Sequence, residues 1–86
     1  SVNDYGLVLS HEAAMRLVGA SRREQRILSV TMEALKKDPF CVGDFQEPDT
    51  QDRINEVTLI ADWLITYWSD HAAREIRIIK IEYIED

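Results

Sequence analysis

Three strand-like segments fill the second half of this 86-residue chain. They run from Ile54 to Ala61, from Trp63 to Trp68 and from Glu75 to Ile84. Each is rich in β-branched and aromatic residues, which pack well on a pleated surface, and short polar turns separate them. Such a run predicts an antiparallel meander. In a regular strand, Ile76 and Ile78 point to one side, and Ile79, Ile81 and Tyr83 to the other. Apolar residues on both sides predict either a central strand or a bulge near Ile78 and Ile79 that re-aims the alternation. Asp70 to Arg74 reads as the hairpin loop before this strand.

The first half has a different pattern. Tyr5 to Leu9 is a short apolar run, read as one strand. Ser10 follows as an N-cap, because its hydroxyl can accept from a free amide of the next turn. A first helix is predicted from His11 to Val18, with Gly19 as its stop. The second helix is the best signalled element. Ser21 and Glu24 form a capping box, each side chain bonding the other residue's amide. Ile27, Leu28, Thr31, Met32 and Leu35 recur at three- and four-residue spacing and so share a face. Lys36 and Lys37 suit the negative end of the helix dipole. Asp38 before Pro39 ends the helix, since the residue before proline is pushed out of the helical region. The helix is therefore expected over Arg22 to Lys37, with Ile27, Leu28 and Leu35 against the sheet. Residues 40–53 are read as a polar connector, with Phe40, Val42 and Phe45 as small buried anchors.

Composition excludes several classes. The length suits one domain spanning residues 1–86. No segment approaches the ~20 apolar residues of a membrane span. The stretch Ser1 to Tyr5 has neither a basic nor an apolar leader, so no signal peptide is expected, and a lone cysteine suits a reducing cytoplasm. The single cysteine, Cys41, excludes an internal disulfide. With His11 and His71 far from it in sequence, no metal site is expected, and no cofactor. Residues 1–43 carry a net +1 and residues 44–86 a net −7, giving −6 in all. An acidic sheet half repels phosphate backbones and suits a basic protein partner, or it simply keeps the domain soluble.

Candidate chemical residues have plain structural readings as well. His71 falls in a turn, where it is most often solvated. Arg53 at a strand entry reads as a partner of Glu56 or an aspartate. Cys41, between Phe40 and Val42, reads as a small buried hydrophobe. Trp63, Tyr67 and Trp68 are not ringed by lysines, so they read as cross-strand core and not as a base-stacking platform. Arg22, Arg23 and Arg26 read as a solvated helix face.

The stretch Leu35 to Phe40 with its Asp38-Pro39 pair, then Asp52-Arg53, then Trp63 to Asp70 and Glu75 to Ile79, resembles the RelE/ParE superfamily of bacterial toxins. The resemblance implies an α+β domain of β-α-α-β-β-β order, its helix hairpin packed on a mostly antiparallel four-stranded sheet. It implies an antitoxin protein as partner. The ribosome with its messenger RNA, DNA gyrase and a second copy of the chain stay open as further partners. RelE-like members cleave messenger RNA in the ribosomal decoding site, and ParE-like members inhibit gyrase. Where RelE-like nucleases carry an arginine, this sequence has Leu64, and where some carry lysines it has Asn55 and Val57. The catalytic C-terminus becomes Ile84, Glu85 and Asp86, with Tyr83 as the one plausible remnant. Arg53, Arg77, Tyr83, Lys80 and His71 are the residues from which a displaced catalytic set can be assembled, and Arg53, Arg77 and Lys80 are the candidate target-binding cations. On a regular strand Arg77 and Tyr83 share a face and Lys80 lies opposite, unless a bulge intervenes. The resemblance implies a toxin-like protein that acts by binding, ParE-like, with a degenerate nuclease site. The alternatives are a RelE-type messenger endonuclease and a non-toxic interaction module.

Overall fold

The computed structural model describes residues 4–85. The elements follow in the order β1 (Gly6–Leu9), α1 (His11–Val18), α2 (Arg22–Lys37), β2 (Phe45–Pro48), β3 (Ile54–Ile60), β4 (Trp63–Asp70) and β5 (Glu75–Tyr83). One five-stranded sheet has the order β1-β5-β4-β3-β2, with β1 parallel to β5 and every other pair antiparallel. Both helices pack on one face. The sequence-based expectation of an α+β helix-hairpin fold holds, with one more strand than expected.

That extra strand is β2, inside the expected connector. Phe45 to Pro48 has no β-branched residue and ends in proline, which is tolerated only at an edge. Pairing with β3 creates it: Phe45 faces Val57 and Glu47 faces Asn55. Its approach is tight. A Cβ on Gly43 would stand 2.7 Å from the Val57 carbonyl oxygen and 2.9 Å from its nitrogen. Backbone cannot yield as a flexible side chain can, so Gly43→Ala is expected to destabilise by about 1–3 kcal/mol. An unchanged midpoint in urea would show that this segment is not held against β3.

The helix starts are as the sequence predicts. Ser10 Oγ accepts from the Ala13 amide at 3.0 Å. Ser21 and Glu24 make both bonds of the capping box, and those bonds lower the Glu24 carboxyl below its ordinary value. Leu28, Met32 and Leu35 of α2 are buried, while Ile27 is half-buried. They meet Ala13 of α1 and the inward residues Ile65, Tyr67, Ile76 and Ile78 of the sheet.

The last strand contains a bulge. Thr66 pairs with Lys80 and Tyr67 with Ile78, which leaves Ile79 as the extra residue. The Ile79 carbonyl accepts from Ser10 Oγ at 2.7 Å, so one serine both caps α1 and ties it to the bulge. The bulge also sorts the side chains. Ile76, Ile78 and Ile81 are all buried on the helix side. Arg77 and Lys80 share the opposite face, and Tyr83 lies with the helices.

Two expectations about the connector are overturned. Phe40, Val42 and Phe45 are exposed by 75%, 70% and 46%, and Cys41 is exposed too. The reason is that this segment is anchored by its backbone. Ser69 Oγ donates to the Pro39 carbonyl at 2.7 Å, and the Tyr67 hydroxyl to that of Cys41 at 3.4 Å. Those bonds turn the carbonyls inward and the side chains out. Among the described residues, no helix is long and apolar enough to cross a membrane.

Candidate functional site

The helices cover one side of the sheet and leave the other bare. Strand pairing defines which side chains the bare face carries. Val57 of β3 pairs with Thr66 of β4, and Thr66 with Lys80 of β5. Trp68 pairs with Arg77, Asp70 with Glu75, and Leu64 with both Leu59 and Glu82. These residues, with Phe45 and Glu47 of β2 and with Asn55, form the helix-free face.

Three of the sequence-derived candidates come together there. Arg53 stands at the entry to β3, with its guanidinium carbon 3.8 Å from the centroid of the Trp68 ring. Arg77 approaches the same ring at 5.9 Å. Lys80 follows on β5, on Arg77's side because of the bulge. Trp63 and Tyr67 are core residues, as expected. Trp68 is not: it is half-buried on the bare face between two arginines. Its position follows from strand alternation, since Trp63, Ile65 and Tyr67 take the helix side and the even-numbered residues the other.

Every one of these cations is held by a carboxylate. Arg77 bonds Glu75 at 2.7 Å and Asp70 at 3.2 Å. Arg53 is 3.6 Å from Asp49, and Lys80 lies 3.4 Å from Glu47 and 3.7 Å from Glu82. The Ala73 amide, and after it Arg77, hold the Asp70 carboxyl below its ordinary value. Three cations thus face five carboxylates. Exposed pairs of this kind stabilise by only about 0–1 kcal/mol each, so they can be exchanged. The excess of acid nonetheless makes the face unfavourable to a polyanion at long range.

The remaining candidates lie elsewhere. Tyr83 is on the helix side, edge-on to Trp63 with centroids 5.1 Å apart, and the sheet separates it from the three cations. Arg16 of α1 sits 5.4 Å from the same Trp63 ring. His71 is in the β4–β5 turn and is exposed, but it is not simply solvated. It stacks on Phe40 at 4.5 Å, and its Nδ1 lies 2.8 Å from the Tyr5 hydroxyl. Arg22, Arg23 and Arg26 are exposed on α2, as expected. Burial raises the Tyr67 phenol above its usual value, so it stays neutral and serves packing. Among the described residues no group of three or more His, Cys, Asp or Glu side chains could hold a metal ion.

Sequence reasoning missed the pairing of Lys80 with Glu47, which are 33 residues apart. The available signal was the alternation of Phe45 and Glu47, which matches that of Asn55 and Val57.

The sequence matches no family model and no curated protein. Solved structures do match. An isolated RelE toxin from E. coli aligns over 95% of this chain and 86% of its own, with a TM-score of 0.78 at 12% identity. An archaeal RelE–RelB complex from Pyrococcus horikoshii gives 0.75 at 14% identity, over 93% of this chain and 94% of that one. A RelBE2 toxin–antitoxin complex from Mycobacterium tuberculosis gives 0.74 at 13%, over 93% and 98%. At such identities shape is what is shared. The arrangement of two helices on one face of this sheet is the fold this chain shares with those RelE structures.

Proposed function

We propose that this protein is the toxin-like component of a toxin–antitoxin pair, and that it acts by binding a protein partner or target. The observation that carries the reading is the bare sheet face, where Arg53, Arg77 and Lys80 are each held by carboxylates and acid is in excess. Phosphoryl chemistry needs uncompensated positive charge where the transition state becomes more negative. Protein binding does not, and an acidic face steers a basic partner. Two of the structural neighbours are RelE–RelB or RelBE complexes, which supports an antitoxin as that partner.

A second reading has one observation in its favour. Arg53 and Arg77 flank Trp68, and an aromatic ring between cations can stack a base. That arrangement is what a RelE-type messenger endonuclease with a displaced catalytic set would use. Tyr83 is not near it.

Induction of the protein in a heterologous host tests the first reading. Growth is expected to stop, and co-expression of the adjacent small gene is expected to restore it and to yield a complex in a pull-down. If no neighbour-encoded protein is retained at low salt, the toxin–antitoxin reading loses its support. Retention without any effect on growth would favour the non-toxic interaction module.

A further inference from the structure

Asn55, Val57 and Thr66 are buried to 4%, 1% and 1% exposure on a face that, among the described residues, no helix covers. Something on the face itself must cover them. Lys80 pairs with Thr66, Thr66 with Val57, and Asn55 with Glu47. The Lys80 ammonium reaches Glu47 Oε1 at 3.4 Å. The Lys80 stem reaching from β5 over β4 and the Glu47 side chain reaching from the edge strand β2 over β3 therefore meet above the sheet. Together the two side chains form a strap across the sheet, with the lysine stem and the glutamate shielding what lies beneath.

Beneath the strap, Asn55 Oδ1 and Thr66 Oγ1 are buried without a hydrogen-bond partner. Buried polar atoms in native proteins are almost always satisfied by protein or by ordered water, so both atoms are available to a donor that reaches them. The strap itself is weak. Lys80 is shared between Glu47 and Glu82, the three side chains are 32%, 46% and 50% exposed, and exposed pairs contribute little. Next to the carboxylates lies apolar surface. Phe45 and Leu59 are exposed by 46% and 47%, and Leu64 pairs with Leu59 beside Glu82.

We propose that this surface docks a basic, amphipathic segment of a protein partner, whose cation replaces Lys80 between Glu47 and Glu82 and donates to Asn55 Oδ1. The partner's apolar residues cover Phe45, Leu59 and Leu64. The proposal rests on the protein-binding reading above and names the surface and the partner's chemistry. Charge complementarity selects the occupant. The site offers two carboxylates and an orphan acceptor, which match a guanidinium and oppose a phosphate. Lys80 acts as an internal competitor that occupies the site until a better donor comes, and so lowers apparent affinity by the fraction of molecules it closes.

The full chain, titrated by NMR with a short peptide alternating leucine and arginine, tests this. An alternating leucine–glutamate peptide is the control. The expected result is movement of the Asn55 side-chain amide and of the Thr66 and Leu64 amides, with binding that weakens as salt rises. Glu47→Gln combined with Glu82→Gln is expected to lower affinity about tenfold or more. Lys80→Met keeps the stem, removes the competing charge and is expected to tighten binding by roughly threefold. Equal affinity in the double glutamine variant, weaker binding in Lys80→Met, or shifts confined to the helices overturns the site. So does a single-stranded RNA oligonucleotide that moves the same signals at lower concentration, or self-association that moves them with no peptide present. The titration uses no neighbour-encoded protein, so it can fail while the co-expression test succeeds, and the reverse.

Discussion

Leu28→Ala is expected to lower the stability of this protein by about 2–5 kcal/mol. Leu28 is fully buried, on the α2 face that meets the sheet, in one cluster with Met32, Ile65 and Ile76. Truncation removes the transfer energy of the lost carbons and leaves a cavity. That cavity cannot collapse easily, because the sheet side is held by β4–β5 and β1–β5 pairing and the helix by its cap. Small domains have about 5–15 kcal/mol in total, so the loss is a large share. Val30→Ala on the same helix is the control: Val30 is 65% exposed, and its loss should stay within about half a kcal/mol. Urea unfolding of both variants decides the matter. If Leu28→Ala behaves like the control, α2 does not use this face.

The purified protein is also expected to leave ribosome-bound messenger RNA uncut. Cleavage without a metal needs a base for the 2′-hydroxyl, positive charge for the phosphorane and an acid for the leaving oxygen. On the resemblance to RelE-like nucleases, the positions of their cations fall at Asn55, Val57 and Leu64. Here they form part of the floor of the bare face. The nearby cations are bound to Asp49, Asp70, Glu75, Glu47 and Glu82. Tyr83 is across the sheet, against Trp63. Loss of one transition-state donor costs roughly 3–4 kcal/mol, about a factor of 10²–10³ in rate. Two such losses bring activity to the edge of detection. Binding to free RNA should be weak and non-specific, as expected for an acidic surface. Codon-specific cuts in a translating-ribosome assay would refute this. If those cuts vanished in Arg53→Ala, Arg77→Ala or Tyr83→Phe, the displaced catalytic set would become the mechanism.

The sequence by itself determined the elements whose signals are local. The capping box of Ser21 and Glu24 and the stop at Asp38-Pro39 set α2 at Arg22–Lys37. Their partners lie within four residues, so no tertiary knowledge is needed. Ser10 and the three-and-four spacing of apolar residues placed α1 and the buried face of α2 in the same way. The meander was legible because β-branched and aromatic residues are dense in β3, β4 and β5. The change of apolar phase near Ile79 was legible too, as the mark of either a central strand or a bulge, and the register decided for the bulge.

Tertiary structure decided everything that depends on which strand lies beside which. β2 has almost no intrinsic preference and exists only through its pairing with β3. Phe40, Val42 and Cys41 look like core by composition, yet hydrogen bonds from Tyr67 and Ser69 to the backbone turn them outward. Trp68 looks like its neighbours Trp63 and Tyr67, but even and odd positions of one strand serve opposite faces. The bulge placed Arg77 with Lys80 and sent Tyr83 to the helix side, which dismantled one candidate set and assembled another. The strap from Lys80 to Glu47 joins residues 33 apart, over two intervening strands. Helix caps and periodicity are written within a turn of chain. Contacts across a sheet come from register, which the chain acquires only when the strands meet.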